Sequence, residues 1–569
     1  MAETLDGYGV THVFFVPVII QHALLEMEKL GIKRILTHGE KAAAYMADGY
    51  ARASHKPGIC AAQNVGAANL AAGLQDPFLA GSPVLAITGR KPRISQHRNS
   101  YQEVDHLRPI SAVTKYSVPV DTAEQLPFLL RQALREATSG APGPVHLDLE
   151  GTSGNVVMEG EADLEVIIEE NFTRVPAYRP EPEAEMVRAA AQALSAAQRP
   201  VIVAGGGVTA SGAQQEVVQL AEMMSIPVAT SLNAKTAIPD GHTLSVGVCG
   251  SYSRTCANRL VSEADLVLYI GSHTGSQVTN EWTVPSLDTP VIQIDIDPSE
   301  LGRSYPAKAT LQGDARACLR RLMEVLEPLG PRTEWVNRAQ ELVAEWREGV
   351  SEVANSDGSP IRPERLCKEL TDYLPSDAVL VSDTGHSGIW TGTMIDLKEQ
   401  TQQYIRCAGS LGWGFPGALG AKCALPDRPV ICFTGDGGFW YHMSELETAL
   451  RYGINAVIVV NNNHSLNQEK RSNDRLYAGQ PGNPEELWHM LDVDLAKLAQ
   501  AIGCFGIRVD QPGQIQSALE QAIASGKPAV VDVVSDIEGI APPAWRPYAG
   551  FPIDAVDPMA GPSTGLTSG

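Results

Sequence analysis

The sequence has no C-x-x-C pair, and its nine cysteines are scattered without the spacing typical of a metal site. Several of them, such as Cys60 and Cys432, lie inside apolar runs, where a buried thiol is expected rather than a disulfide. The cysteine pattern therefore fits a reducing cytoplasm.

Basic residues are scarce: 44 Lys and Arg face 66 Asp and Glu, for a net charge of −22. This balance argues against nucleic acid or an anionic membrane as a general partner. It does not exclude an anionic cofactor, because a bound divalent cation can reverse the sign of a local site. Long apolar runs are also missing, since the run at 13–20 is too short to cross a bilayer and contains Pro17. With no charged-then-apolar leader at the start, we expect a cytoplasmic protein.

The length of 569 residues exceeds what one hydrophobic core supports, so several domains are expected. Strand candidates alternate with helices in three segments, which predicts an α/β fold of three doubly wound parallel-sheet domains. We expect the domains at 1–155, 185–330 and 361–538. The remaining ranges are expected to be a linker at 156–184, a helical linker region at 331–360 and a Pro-rich tail at 539–569.

Two polar motifs in the third segment are the most informative feature of the chain. Residues 434–438 read T-G-D-G-G and residues 461–465 read N-N-N-H-S, and each motif follows an apolar run. Residues 443–452 between them have helical spacing, so the pattern predicts a βαβ unit with both motifs at the carboxyl ends of neighbouring strands. Asp436 and Asn463 would offer oxygen ligands to Mg²⁺ there, and the glycine N–H groups could approach a diphosphate.

Either motif alone is more often an ordinary turn, but the pair flanking one crossover helix favours a metal–diphosphate site. The pair resembles the thiamin diphosphate (ThDP) motif. Nearly the whole chain resembles the ThDP-dependent enzymes of the acetolactate synthase, 2-oxo acid decarboxylase and 2-hydroxyacyl-CoA lyase type. The resemblance implies Mg²⁺ bound by Asp436, the side chain of Asn463 and the main-chain oxygen of Ser465, with Asn462 as the alternative to Asn463. It also implies that three glycines line the cofactor: Gly435, Gly437 and Gly438.

The family further implies a pyrimidine-binding, a central and a diphosphate-binding domain. Residues 37–52, T-H-G-E-K-A-A-A-Y-M-A-D-G-Y-A-R, are similar to the signature of the first of these. The implied role of Glu40 is to hydrogen-bond the pyrimidine ring and so promote proton removal from the thiazolium carbon. Without the resemblance, Glu40 would be interpreted as a first-turn acid stabilised by the helix dipole.

Two further stretches of the third segment resemble the family. The D-T-G-H-S at 383–387 is similar to a diphosphate-contacting loop and makes His386 and Ser387 candidate donors. The stretch at 409–416 is similar to G-x-M-G-x-G-x-P, which makes Leu411 the bulky residue that supports the bent form of the cofactor. Simple core packing is the alternative for Leu411.

The first segment carries weaker matches. Y-Q-E at 101–103 resembles an F-Q-E stretch and implies that Gln102 faces the substrate. His106 and Lys115 are weaker candidates for the substrate side. For each of them, an ordinary satisfied or solvated side chain is the alternative.

Several stretches depart from the family pattern. Val18 and Ile19 replace two glycines of G-V-P-G-G, and the loop at 63–69 reads Q-N-V-G-A-A-N in place of S-G-P-G-x-x-N. These changes suggest a reshaped substrate pocket. Residues 271–277 read G-S-H-T-G-S-Q and lack the F-D-D-R stretch of FAD-binding members, which argues against FAD. The I-D-I-D-P at 294–298 either binds an ADP or CoA moiety or simply ends a strand.

The resemblance implies an enzyme that makes or breaks a C–C bond next to a carbonyl, with acetolactate-synthase-like carboligation or decarboxylation of 2-oxo acids as the first hypothesis. A 2-hydroxyacyl-CoA lyase is the alternative, and a non-catalytic scaffold of the same fold is the remote one. A basic patch for CoA phosphates, tested at Arg254, Arg259 and Arg303, would separate the first two. A homodimer or homotetramer is expected, with Glu40 of one subunit facing the diphosphate site of the other. The loop at 468–482 and the tail are candidates for closing over the site.

Overall fold

A computed structural model describes residues 1–151, 164–328 and 330–547. It contains three six-stranded sheets in which every strand pair is parallel. The predicted fold class of three parallel-sheet α/β domains is therefore confirmed. The predicted linker at 156–184 and the predicted tail at 539–569 fall in part outside the described residues.

The first sheet has the strand order β2-β1-β3-β4-β6-β5. Its strands are β1 (His12–Phe15), β2 (Lys33–Leu36), β3 (Gly58–Ala62), β4 (Val84–Arg90), β5 (Tyr116–Val120) and β6 (Val145–Glu150). The helices around it are α1 (Ala2–Gly7), α2 (Gln21–Lys29), α3 (Glu40–Ser54), α4 (Ala67–Ala80), α5 (Leu107–Ser111) and α6 (Leu126–Thr138).

The central sheet has the order β12-β11-β10-β7-β8-β9. Its strands are β7 (Pro200–Ala204), β8 (Val228–Thr230), β9 (Ser245–Val248), β10 (Leu266–Ile270), β11 (Val291–Asp295) and β12 (Ala307–Gln312). Its helices are α7 (Ala184–Ala196), α8 (Gly206–Ser211), α9 (Gln214–Met224), α10 (Thr255–Glu263), α11 (Ser276–Thr279) and α12 (Ala315–Val325). This order, counted within the domain, is that of the dinucleotide-binding doubly wound fold.

A long helix, α13 (Thr333–Ala354), leads to the third sheet, whose order is β14-β13-β15-β16-β18-β17. The strands are β13 (Val379–Ser382), β14 (Gln403–Arg406), β15 (Val430–Gly435), β16 (Val457–Asn462), β17 (Phe505–Val509) and β18 (Ala529–Val534). The helices are α14 (Pro363–Tyr373), α15 (His386–Thr393), α16 (Gly414–Ala424), α17 (Asp436–Trp440), α18 (Glu445–Tyr452), α19 (Asn467–Leu476), α20 (Leu495–Ile502) and α21 (Ile515–Ala524).

The strands are predictable because helices cover both faces of each sheet. Strands β3, β7, β10 and β16 are buried along their whole length. Parallel strands buried on both faces read as continuous apolar runs, which is the pattern that predicted them. The largely apolar run A-V-V-D-V-V at 529–534, for example, coincides with β18.

Helix boundaries differ from the prediction in two places. The crossover helix expected at 443–452 begins at Glu445, and α17 precedes it directly after β15. The helical linker region expected at 331–360 contains α13, which ends at Ala354, and a segment that contains Pro328 and Pro331 separates this helix from α12. Proline at these positions cannot continue a helix. Helix α13 then packs on the central domain through buried Trp335.

Helices α3 and α16 bring the first and third domains into backbone contact. A Cβ added at Gly49 would lie 2.0 Å from the carbonyl oxygen of Gly417, and one at Gly420 would lie 1.9 Å from that of Met46. Only glycine permits so close a crossing, which joins the two domains of one chain at this point. Among the described residues, no helix combines the length and the apolar character needed to cross a bilayer.

Candidate active site

Strands β15 and β16 are direct neighbours, and Gly435 pairs with Asn461 across them. The structure thus brings the two polar motifs together at one sheet edge, as the βαβ interpretation predicted. Asp436 is the first residue of α17, and Asn463 and Ser465 follow the end of β16.

Asp436 is buried, with 2% of its surface exposed, and its Oδ1 has no hydrogen-bond partner among the described residues. Burial raises the pKa of the Asp436 carboxyl to about 7, and the backbone N–H groups of Asn463 and Ser465 lower it only in part. A buried carboxylate oxygen without a partner is costly unless a cation or a proton occupies it. The position is suited to a divalent cation.

The three asparagines have different partners. The Asn462 amide donates to Asp532 Oδ1 at 2.7 Å, so this side chain binds the neighbouring strand β18. Asn463 Oδ1 accepts a hydrogen bond from Ser465 Oγ at 2.8 Å, beside Asp436. The backbone N–H of Asn463 also lowers the pKa of Asp436, so Asn463 adjoins that carboxyl, and this proximity favours Asn463 over Asn462 as a metal ligand. Asn461 Oδ1 is buried without a partner among the described residues, and it is a candidate oxygen that sequence reasoning missed.

The loop after β13 lies beside the first motif. Ser387 Oγ is 3.8 Å from the position that a Cβ on Gly435 would take. His386 Nδ1 is buried without a partner in the described part of the chain. Burial lowers the pKa of His386 to about 4, so its ring is neutral at pH 7 and offers one N–H donor. Both predicted donors therefore begin α15 next to Gly435.

The other two predicted glycines pack closely in the same region. A Cβ added at Gly437 would lie 2.5 Å from Leu466 Cδ2, and one at Gly438 would lie 2.8 Å from Thr434 Oγ1. A side chain at either position would press on these neighbours, and both glycines are buried at the start of α17.

Glu40 is half-buried at the start of α3 in the first domain. Its Oε2 accepts a hydrogen bond from Asn69 Nδ2 at 3.1 Å. A Cβ added at Gly66 would lie 2.5 Å from Glu40 Oε1, so a larger residue there would displace the carboxyl from this position. Sequence reasoning missed both supporting residues, although they are the glycine and asparagine that the loop at 63–69 retains from the family pattern.

The segment before Glu40 contacts α18 of the third domain. The His38 backbone N–H donates to Glu445 Oε1 at 3.0 Å, and the Leu36 N–H donates to the Tyr452 hydroxyl at 3.0 Å. The helix between the two polar motifs therefore supports the segment that carries Glu40. Both contacts lie within one chain.

The substrate-side predictions in the first domain have mixed outcomes. Gln102 is half-buried with a left-handed φ of 62°, beside Tyr101, which is 81% exposed. Lys115 Nζ donates to the carbonyl oxygens of Glu136, Ser139 and Ala141, so it caps the end of α6 while remaining exposed.

His106 belongs to a buried network. Its Nε2 lies 2.8 Å from Asp148 Oδ1, and Thr88 Oγ1 lies 2.6 Å from His146 Nε2 and 2.7 Å from Asp148 Oδ1. These are hydrogen-bond distances, and the Thr88 hydroxyl fills the centre of the cluster where a metal ion would have to lie. His106 is therefore a buried histidine of the core, bonded through Nε2, while its Nδ1 has no partner among the described residues.

A cavity of about 670 Å³ opens at the carboxyl ends of the central strands. Gly205, Gly206 and Gly207 line it after β7, and Asp295 and Asp297 line it after β11. The cavity is therefore lined both by the three glycines that follow the first strand of the central domain and by the I-D-I-D-P stretch.

Comparison with known families matches all three domains. The family described as "Thiamine pyrophosphate enzyme, N-terminal TPP binding domain" matches residues 1–108, where thiamine pyrophosphate is another name for ThDP. The corresponding central domain matches 187–322, and the C-terminal TPP binding domain matches 383–533. The chain belongs to the ThDP-dependent enzymes of the acetolactate synthase type. The predicted family is thus confirmed.

The relatives of this ThDP enzyme cover nearly its whole length. The probable acetolactate synthase large subunit of Methanocaldococcus jannaschii is 34% identical over 551 residues, covering 94% of this chain and 91% of the relative. That of Methanococcus aeolicus is 32% identical, covering 88% and 85%. The acetolactate synthase large subunit of Haemophilus influenzae is 29% identical and covers 94% of each chain. Because the relatives are enzymes, the non-catalytic scaffold hypothesis is set aside.

Proposed function

We propose that this ThDP enzyme requires Mg²⁺ and joins a unit derived from a 2-oxo acid to a second carbonyl compound, a reaction of the acetolactate synthase type. The observation that carries the proposal is the buried, unpartnered oxygen of Asp436 beside Asn463, within a domain matched by the TPP binding family. Carboxylate, amide and main-chain oxygens are the ligand types that Mg²⁺ prefers.

In this proposal each residue has a distinct role. Asp436, Asn463 and the main-chain oxygen of Ser465 would hold Mg²⁺, which would supply positive charge for a diphosphate. His386 and Ser387 donate hydrogen bonds to the diphosphate from the start of α15. When bound, ThDP supplies a nucleophilic carbon and an electron sink for bond changes next to a carbonyl.

The first domain supplies the acid of the site. Glu40, positioned by Asn69, holds a proton against the pyrimidine ring, and Gly66 leaves the carboxyl room to do so. Gln102 contacts the substrate from the loop that follows β4. Leu411, in the loop that follows β14, would support the bound cofactor.

We propose a homodimer in which Glu40 of one protomer faces the diphosphate site of the partner subunit. Mixing two inactive variants, Glu40→Gln and Asp436→Ala, tests this arrangement. In hybrid dimers one of the two sites regains both wild-type residues, so random exchange should restore about a quarter of the wild-type activity. If activity does not recover although subunit exchange is verified, Glu40 and Asp436 of one site would lie on the same chain.

The 2-hydroxyacyl-CoA lyase alternative loses support at the cations meant to test it. Arg254 is buried and pairs with Asp240 and Asp396 at 2.9 and 2.5 Å. Arg259 pairs with Glu345, and Arg303 pairs with Glu300. Each of the three arginines therefore has a carboxylate partner in place of a phosphate.

We propose that the central cavity accepts the adenosine diphosphate moiety of a nucleotide ligand. The glycines after β7 allow close approach of a diphosphate, and an acid after a strand of such a sheet suits ribose hydroxyls. Isothermal titration with ADP, CoA and FAD distinguishes these ligands. Binding of FAD with its flavin absorbance shifted would contradict the expectation drawn from the missing F-D-D-R stretch.

A substrate screen tests the main proposal. Purified protein with ThDP and Mg²⁺ is assayed against pyruvate, other 2-oxo acids and 2-hydroxyacyl-CoA thioesters, with CO₂ and acyloin products measured. We expect CO₂ release and a carboligation product from a 2-oxo acid, dependent on both ThDP and Mg²⁺. Turnover of the thioesters alone would support the lyase instead.

A further inference from the structure

The segment at 407–414, which carries Leu411, is bound by a carboxylate of another domain. Asp76, on α4 of the first domain, is fully buried. Its Oδ1 accepts the backbone N–H of Ala408 at 2.8 Å. Its Oδ2 accepts those of Gly409 and Ser410 at 3.2 and 3.0 Å. Three consecutive main-chain donors thus converge on one side chain more than 300 positions away in sequence.

A second buried carboxylate binds the same segment on the other side of Leu411. Asp383 Oδ1 accepts the N–H of Gly412 at 3.1 Å, and its Oδ2 accepts that of Gly414 at 2.8 Å. Asp383 Oδ1 also accepts the N–H of Thr384 at 2.7 Å. Leu411 therefore lies between residues 408–410, held by Asp76, and residues 412–414, held by Asp383.

A charged network keeps Asp76 in place. Arg52 donates to Asp76 Oδ1 at 2.9 Å and to Asp48 Oδ1 at 2.8 Å. Trp413 Nε1, two residues after Leu411, donates to Asp48 Oδ2 at 2.9 Å. Burial alone would raise the pKa of Asp76, but Arg52 and the N–H groups of Ala408 and Ser410 hold it below its usual value. The carboxylate is therefore ionised at neutral pH, the state in which it accepts all these donors.

We propose that Asp76 and Asp383 are positioning residues that fix the backbone on both sides of Leu411 and so hold its side chain against ThDP. The proposal rests on the role of Leu411 in the proposed function. It assigns to the first domain a second contribution besides Glu40: through Asp76, α4 sets the geometry of a cofactor-supporting residue in the third domain of the same chain.

The isosteric variants Asp76→Asn and Asp383→Asn test the proposal, since each replaces an accepting oxygen by an N–H₂ group that faces backbone donors. The matched control is Asp265→Asn, because Asp265 also accepts two backbone N–H groups, those of Gln198 and Arg199, both at 2.9 Å. Asp265 lies in the central domain, away from Leu411. If one of the two test variants does not fold, the other carries the test alone.

The first measurement needs no cofactor. Amide hydrogen exchange of the full-length protein should show residues 408–410 exchanging about tenfold faster or more in Asp76→Asn, and residues 412–414 doing so in Asp383→Asn. Exchange in β18 and in the Asp265→Asn control should match the wild type. Unchanged exchange at 408–414 in both variants would overturn the proposal.

The second measurement separates positioning from mere packing. Deuterium exchange at the thiazolium carbon of bound ThDP should slow about tenfold or more in both variants while the Kd for ThDP changes less. Leu411→Ala should slow it similarly, and the double variant Asp76→Asn/Leu411→Ala should lose little more than either single one. The proposal would be overturned if a variant with faster amide exchange at 408–414 kept the wild-type rate of deuterium exchange at the thiazolium carbon. A wild-type protein without any ThDP-dependent exchange would instead reject the proposed function.

Discussion

The first and third domains have the same strand order, yet they place different chemistry at the same edge. Counted within each domain, both sheets run 2-1-3-4-6-5. Six residues after the start of β15 lies Asp436, whereas six residues after the start of β3 lies Asn64. Both side chains are buried and have unpartnered atoms among the described residues. An amide carries no charge, so of these two corresponding positions the one in the third domain offers a carboxylate to a cation.

The fourth strands of the two sheets differ as well. Strand β16 leads into the asparagines, whereas β4 ends at Arg90, whose guanidinium pairs with Asp121 and lies 3.6 Å from Asp148. The first domain thus places a guanidinium at this edge, where the third domain places amide oxygens. The loop after the second strand also differs: it precedes Glu40 in the first domain and contains Leu411 in the third. Topology thus sets where a ligand can lie, and a few side chains decide which ligand it is.

Removing the acid of the first domain should have the largest effect. In Glu40→Gln, deuterium exchange at the thiazolium carbon should slow by about 10²–10⁴-fold, because the proton at the pyrimidine ring loses its carboxyl partner. ThDP should still bind, since the diphosphate side is intact. Exchange at the wild-type rate would reject the role of Glu40. Asn69→Ala, which removes only its hydrogen-bond partner, should have a smaller effect.

Removing the carboxylate of the third domain should affect retention of the cofactor instead. In Asp436→Ala, the affinity for ThDP in the presence of Mg²⁺ should fall on the order of 100-fold. Fluorescence titration with and without a chelator measures it. The variant should also lose the difference between the two conditions. If Asp436→Ala binds ThDP as tightly as the wild type, and a chelator does not change that affinity, Mg²⁺ binding at this position would be contradicted.

The buried network of the first domain predicts a dependence of stability on pH. Burial lowers the pKa of His146 to about 4, from an unfolded value near 6.5. The stability that this neutral histidine allows is therefore fully present above pH 6.5. As the pH falls towards 4, the free energy of unfolding decreases by up to about 3 kcal/mol, because the folded state resists protonation of His146. Denaturant unfolding of His146→Leu should show a weaker fall over this range than the wild type. An equal fall in both proteins would assign the pH dependence to other groups.

The contact between the two domains predicts a smaller loss. Gly420→Ala would place a methyl group 1.9 Å from the Met46 carbonyl oxygen, and the backbone of α3 must shift. We expect a loss of about 1–3 kcal/mol in the free energy of unfolding. The control is Gly349→Ala in α13, where no atom lies within 4 Å of the new Cβ. That helical substitution should be neutral or stabilising by up to about 1 kcal/mol.

Val18 should show the smallest effect, in the opposite direction. It replaces a family glycine but keeps a left-handed φ of 70°, which is unfavourable for a β-branched residue. Val18→Gly should raise the free energy of unfolding by about 1 kcal/mol, measured by denaturant titration. A loss of stability would show that contacts of the valine outweigh the backbone strain.

The two polar motifs and most strands could be predicted because their signals are local. An apolar run followed within a few residues by Asp436 or Asn463 fixes both the strand and its end. Residues such as Asp76 could not be predicted, because their partners lie hundreds of positions away and leave no periodic pattern. Lys115 illustrates the same limit: its three carbonyl partners become neighbours only when α6 ends beside β5. The shared strand order of the two domains is also absent from any local signal.

The glycine-mediated crossing of α3 and α16 has a consequence for how substrates enter. Helices in backbone contact cannot slide or rotate past each other without breaking many van der Waals contacts at once. A hinge between the first and third domains of one chain is therefore excluded as the route by which the enzyme opens. We therefore expect entry and release to depend on loop rearrangement, while these two domains move together.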